Sequence, residues 1–85
     1  MDWMKYLIVD NGFEGSEYPI MFSTVISHFD ISKGYVGEVV SAGFFSVDLE
    51  TGEVSTFGKS NTLKIESRKE DAEIIKRELN RWKRH

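Results

Sequence analysis

His28 is the only internal histidine of the 85 residues, with Ser27 before it and Asp30 two positions on. On a strand, residues two apart share a face, so Asp30 could orient the imidazole for proton transfer. A nucleophilic triad would also need an activated hydroxyl or thiol and an oxyanion site, and no spacing marks either. The plainer reading is a packing or surface histidine, and no catalytic residue is expected. A metal needs three or four convergent ligands. One internal histidine, scattered carboxylates and no cysteine do not supply them, so neither metal nor cofactor is expected. Gly58-Lys59-Ser60 resembles the end of a phosphate-binding loop, but no first glycine stands at the required spacing, and turns account for the glycines.

The second chemical possibility is charge. Residues 64–85 carry eight Lys/Arg against five acids, while residues 1–63 carry three lysines against nine acids, for a net charge of −3. Arg77, Arg81, Lys83 and Arg84 could meet phosphates, and sheet aromatics such as Tyr6 and Phe44 could stack on bases. Glu38 and Asp48 in the sheet region and a pI near 5.3 stand against nucleic acid. A charged helix face is also normal in a solvated protein, so nucleic-acid binding is the alternative reading.

These residues must be positioned by elements that the apolar pattern defines. The stretch Val39–Glu53, VVSAGFFSVDLETGE, is apolar on both alternating faces, as an interior strand reads. Val39, Phe45, Val47 and Leu49 are expected one way, and Val40, Ala42 and Phe44 the other. Glu50-Thr51-Gly52 closes a hairpin. The spacing predicts strands at Lys5–Asp10, Ile20–Phe29, Tyr35–Leu49 and Glu53–Phe57, with a short one where Leu63–Ile65 pairs. Pro19 lacks an N–H and is expected at the start of its strand. Tyr35–Leu49 would span roughly 50 Å if straight, so a bulge or bend is expected at Gly37 or Gly43.

Ser67-x-x-Glu70 has the form of a capping box, predicting a helix from Arg68 to about Trp82. Ala72, Ile75, Leu79 and Trp82 form its apolar stripe, with Ile74 at the edge. Trp82 is expected to close that stripe in the core rather than serve as a binding platform. The expected fold is α+β, one domain over residues 1–85. A four-stranded antiparallel meander, or a five-stranded one, carries the C-terminal helix on one face. No apolar run approaches the roughly 20 residues of a membrane helix. The start, MDWMKYLIVD, lacks the regions of a signal peptide. The lack of cysteine fits a reducing cytosol, so a cytoplasmic location is expected.

One helix covers one face of a sheet, and this sheet is apolar on two. Monomers rarely expose large contiguous apolar patches. The uncovered set is expected to form a protein interface through Tyr6, Ile8, Val40 and Phe44. A projecting hairpin tip with Phe29, Ile31, Tyr35 and Val36 is a second possible contact. A curled, self-covered sheet is the competing outcome. The leading expectation is therefore a non-enzymatic interaction protein, either a homodimer or a binder of another protein.

The runs VVSAGFF (39–45) and FGKSNTLKIESRKEDAEII (57–75) resemble small uncharacterised proteins encoded in bacteriophages and prophages. The likeness covers roughly residues 20–75. It implies a bacterial cytosolic setting and a role in handling host or phage proteins, and it carries over no functional residue.

Overall fold

The computed structural model describes residues 3–12, 17–34 and 37–82, with backbone alone at Trp82. The expectations on Tyr35, Val36, Lys83 and Arg84, and on the Trp82 side chain, lie outside the described residues. The chain runs β1 (Met4–Asp10), β2 (Glu17–Phe22), α1 (His28–Ser32), β3 (Glu38–Val47), β4 (Val54–Phe57), β5 (Lys59–Ser60), β6 (Ile65–Glu66) and α2 (Asp71–Trp82). As expected, the fold is α+β, with an antiparallel four-stranded sheet and a C-terminal helix. The sheet order is β2-β1-β3-β4, and β5 pairs with β6 in a second small sheet. Chain order and sheet order part at one place: β3 returns beside β1 rather than β2, so β1 is interior. That explains why Tyr6, Leu7 and Ile8 are all fully buried.

The expected strand Ile20–Phe29 is corrected. The strand is Glu17–Phe22, and residues 28–32 form a short helix capped by Ser27, whose side chain accepts from the Asp30 N–H. The Ser-x-x run competes with the strand by offering the backbone this local bond. Pro19 lies within β2, opposite Ile8, and not at its start. It is tolerated there because β2 is an edge strand.

β3 is Glu38–Val47, shorter than expected, and its irregularity lies at neither glycine. Ile8 pairs with Ser41 and Val9 with Val39, so Val40 is the extra residue. A bulge of this kind reverses the side-chain alternation along the strand. Val39 therefore joins Leu7, Val9 and Ala42 in one cluster, while Val40 joins Tyr6, Ile8, Phe45 and Val47 in the other. The grouping expected from simple alternation is corrected accordingly. Gly37 matters for another reason. Its φ is +121°, and a Cβ would stand 2.6 Å from the Asp10 carbonyl and 2.9 Å from Val9 Cγ1. Only glycine lets the start of β3 approach β1 so closely.

Both faces of the sheet are covered by the chain itself. α2 covers Tyr6, Ile8, Phe45 and Val54 with Ile75, Ala72, Ile74 and Leu79. Ile31 of α1 and Leu63 and Ile65 of the β5–β6 hairpin pack over Leu7, Val9, Phe22 and Ala42. Each fully buried aliphatic or aromatic side chain contributes about 1.5–3 kcal/mol of gross burial. The self-covered sheet, the competing expectation, is the arrangement found.

Candidate functional site

The most connected polar group belongs to Asp71 at the start of α2. It is 0% exposed, yet all its hydrogen bonds are met inside the protein. Its Oδ2 accepts from the Tyr6 hydroxyl at 2.6 Å and the Arg68 backbone N–H at 2.8 Å. Its Oδ1 accepts from Ser41 Oγ at 2.9 Å and Arg68 Nε at 3.0 Å. Arg68 Nη2 reaches on to Glu17 Oε1 at 2.7 Å, tying α2 to the edge strand. Burial, then the bonded Asp71 carboxylate, pushes the Tyr6 phenol well above its ordinary pKa, so it stays protonated. Burial opposes the charge of Arg68, but Glu17 and Asp71 outweigh it and hold the guanidinium protonated.

This arrangement corrects the expected capping box. The helix begins at Asp71, and the Ser67 hydroxyl donates instead to the Gly58 carbonyl at 2.9 Å. Asp71 reaches back three residues to the Arg68 N–H, the part an acid at the third position plays. Each Asp71 oxygen accepts from two donors, so the carboxylate locks sheet to helix and has no open acceptor for chemistry.

His28 is 3% exposed and lies under the sheet face opposite α2, edge-on to Phe22 and Phe44. Its Nε2 is 3.0 Å from the Gly43 carbonyl. A carbonyl only accepts, so this nitrogen carries the proton and donates. Burial lowers the His28 pKa and nearby Lys5 lowers it further, against the opposing bond to Gly43. Asp30 does not orient the ring, since the two residues stand on a helix and not on one strand face. Among the described residues no group of three or more His, Asp or Glu side chains comes together as a metal site.

The expected interface residues separate. Tyr6 and Ile8 are 0% exposed, so they are interior and not contact residues. Val40 is half-buried against the α2 cluster. Phe44 is half-buried, stacked on Phe57 with ring centroids 5.8 Å apart. Instead of a projecting tip, residues 28–32 fold back as α1. Ile31 packs inward, and Phe29 lies outward with Lys33 Nζ 4.4 Å from its ring centroid. Arg77 and Arg81 border a groove that also holds Glu17 and Glu78, and Arg81 Nη1 pairs with Glu78 Oε2 at 3.2 Å. Those acids offset the two arginines.

Exposed large apolar side chains among the described residues are Trp3, Met4, Val25, Ile26, Phe29 and Leu49. All but Phe29 leave the sheet at one end, where β1 starts, β2 stops and β3 runs out into its hairpin. The spacing puts Leu49 within a strand, on one face with Val39, Phe45 and Val47, and the structure differs. Leu49 stands in the β3–β4 turn at 94% exposure, because the strand ends at Val47 and Asp48 closes the turn with its side chain on Glu50 N and Thr51 N. Leu49 is flanked by two grooves that share Val47, Asp48 and Leu49. One of about 350 Å³ reaches Val54, Lys76 and Leu79, and the other, of about 620 Å³, reaches Met4 and Phe45. Sequence alternation missed this surface, and the Asp48–Gly52 turn residues were the signal that could have placed Leu49 outside.

No described helix is long and apolar enough to cross a membrane. No family model matches this chain, and neither does any curated protein or solved structure.

Proposed function

We propose that the protein is a small interaction module that pairs with a second copy of itself through the β3–β4 hairpin end. The observation that carries this reading is Leu49, an exposed apolar knob set between two grooves. A two-fold interface brings the same patch to itself, and a knob beside a hole is self-complementary under that symmetry. The rim carries both signs: Lys76, paired with Glu53 at 3.7 Å, borders one groove, Glu50 the other, and Asp48 both. A stable pair covers about 800 Å² per partner, a modest share of the 5933 Å² surface. The sheet faces do not support this role, since the chain covers them. For its setting we propose a bacterial cytosol and a role in handling host or phage proteins, a reading supported by the resemblance in residues 39–45 and 57–75.

The test is solution mass by light scattering across concentration. The native chain is expected to rise toward twice the mass of one chain, and Leu49→Asp to stay at one. A native chain that remains single at every concentration, or a Leu49→Asp variant that still doubles, overturns the reading.

A further inference from the structure

On the sheet side opposite α2, a pocket of about 220 Å³ is lined by Lys5, Ser27, His28, Phe44, Lys59, Asn61 and Thr62. Among the described residues its lining holds two lysines and no carboxylate, in a chain whose net charge is −3. Glu66, opposite Lys59 in the β5–β6 register, is exposed and does not line it. Lys5 Nζ donates one hydrogen to the Ile26 carbonyl at 2.9 Å, which fixes its position and leaves two for a ligand. The His28 ring is neutral and already donates to Gly43, so the lysines alone supply positive charge.

Phe44 also belongs to an aromatic shelf. It stacks on Phe57 with the rings 16° from parallel, and Trp3 meets the Phe57 ring edge-on at 5.2 Å and the Phe44 ring at 6.4 Å. Trp3 is 55% exposed. A pocket of this volume is smaller than the roughly 300–1,000 Å³ that holds a whole drug-sized ligand. It suits a phosphoryl group, with the rest of the ligand lying outside over the shelf. Lysines serve phosphate as point charges, and exposed indole serves a flat base as a stacking platform.

We infer that this pocket and shelf bind a nucleoside phosphate, with the phosphate between Lys5 and Lys59 and the base against Trp3. The site shares the Leu49 end of the sheet but lies on the other face: Met4 lines a Leu49 groove, whereas Lys5 lines this pocket and Trp3 packs on Phe44. It also does not use Arg77 or Arg81. The ligand is either a free nucleotide or one unit of a single strand.

The test is Trp3 fluorescence in a Trp82→Phe background, with calorimetry as an independent readout. The ligands are AMP, adenosine, inorganic phosphate and a ten-residue oligodeoxyadenylate. AMP or the oligonucleotide is expected to quench Trp3 saturably, and Lys59→Gln, a change at an exposed residue, to weaken binding by about tenfold. Equal affinity for AMP and for the oligonucleotide per site identifies the free nucleotide. A tighter oligonucleotide complex that weakens steeply between about 50 and 200 mM salt identifies the single strand. The inference is overturned by no binding of either at low salt, or by binding that Lys59→Gln leaves unchanged. It is also overturned if phosphate competes as well as AMP, since the shelf then plays no part.

Discussion

Replacing Asp71 by Asn should remove about 3 kcal/mol, a large share of this chain's stability. Four donor groups converge on the carboxylate: Tyr6 Oη, Ser41 Oγ, Arg68 N and Arg68 Nε. Asparagine keeps one acceptor oxygen and presents an NH2 where the other stood. The two hydroxyls can turn and accept from that NH2. The two Arg68 groups cannot, and they bond to different carboxylate oxygens. Whichever way the amide faces, one Arg68 N–H loses its acceptor and Arg68 loses its fully buried counter-charge. A lost bond to a charged group costs about 1.5–3 kcal/mol. Breaking one partner of a buried pair costs about 3–5 kcal/mol, and the low end applies here because Arg68 keeps Glu17 and is part-exposed. At about 0.05–0.15 kcal/mol per residue the whole chain has about 4–13 kcal/mol. Urea unfolding followed by tryptophan fluorescence should show a midpoint about 2 M or more below the native one. A loss under about 1 kcal/mol, the size of an exposed ion pair, would refute the view that Asp71 locks sheet to helix.

Three further outcomes follow from the same contacts. Tyr6→Phe should cost about 1–2 kcal/mol at neutral pH. It should also remove an alkaline loss: the folded phenol holds its proton above its ordinary value, so native stability should fall above about pH 10 as the unfolded chain ionises, read by urea titrations at pH 8 to 11. His28 is held neutral below its ordinary value, so the stability it confers is present above about pH 6.5 and is lost as pH falls through that value, by up to about 1.4 kcal/mol per unit. His28→Gln should flatten the decline between about pH 6.5 and 5 in the same titrations, and an unchanged decline would contradict the buried neutral ring. Gly37→Ala should cost more than about 2 kcal/mol, since its Cβ meets the Asp10 carbonyl inside contact distance. Gly52→Ala, with φ +77° and nothing within 4 Å, should cost only about 1. Thermal melting of the two variants compares them directly.

The elements whose pattern is local were legible in the sequence. The apolar stripe of α2, the 39–47 strand and the hairpin closed by Gly52 all follow from periodicity and turn chemistry. What the sequence hid depends on register or on distant partners. Nothing local at Val40 marks it as the bulged residue, because the extra residue is defined only against Ile8 and Val9 of β1. That one residue turns Ala42 away from Tyr6, Ile8 and Val40 and brings Phe45 and Val47 to them; α2 packs on that face, so the expected interface through Tyr6, Ile8 and Val40 was drawn on a surface the helix covers. The fold-back of residues 28–32 was hidden for a related reason. IMFSTVISHF alternates like a strand, and only the Ser27 cap and the apolar seat for Ile31 favour a helix turn there. Nothing local marks Asp71, since its partners Tyr6 and Ser41 lie 65 and 30 residues away.

The most direct test of the account is a dilution series of amide nitrogen–proton spectra on the native chain. If the chain covers both its sheet faces and pairs at the hairpin end, concentration should move the signals of Met4, Val47 to Glu50 and Leu79. Those of Val9, Ala42, Leu63 and Ile65 should stay fixed. Shifts centred on that second set would mean a sheet face is open to a partner, and spectra that do not change with concentration would mean that the Leu49 end joins no second copy.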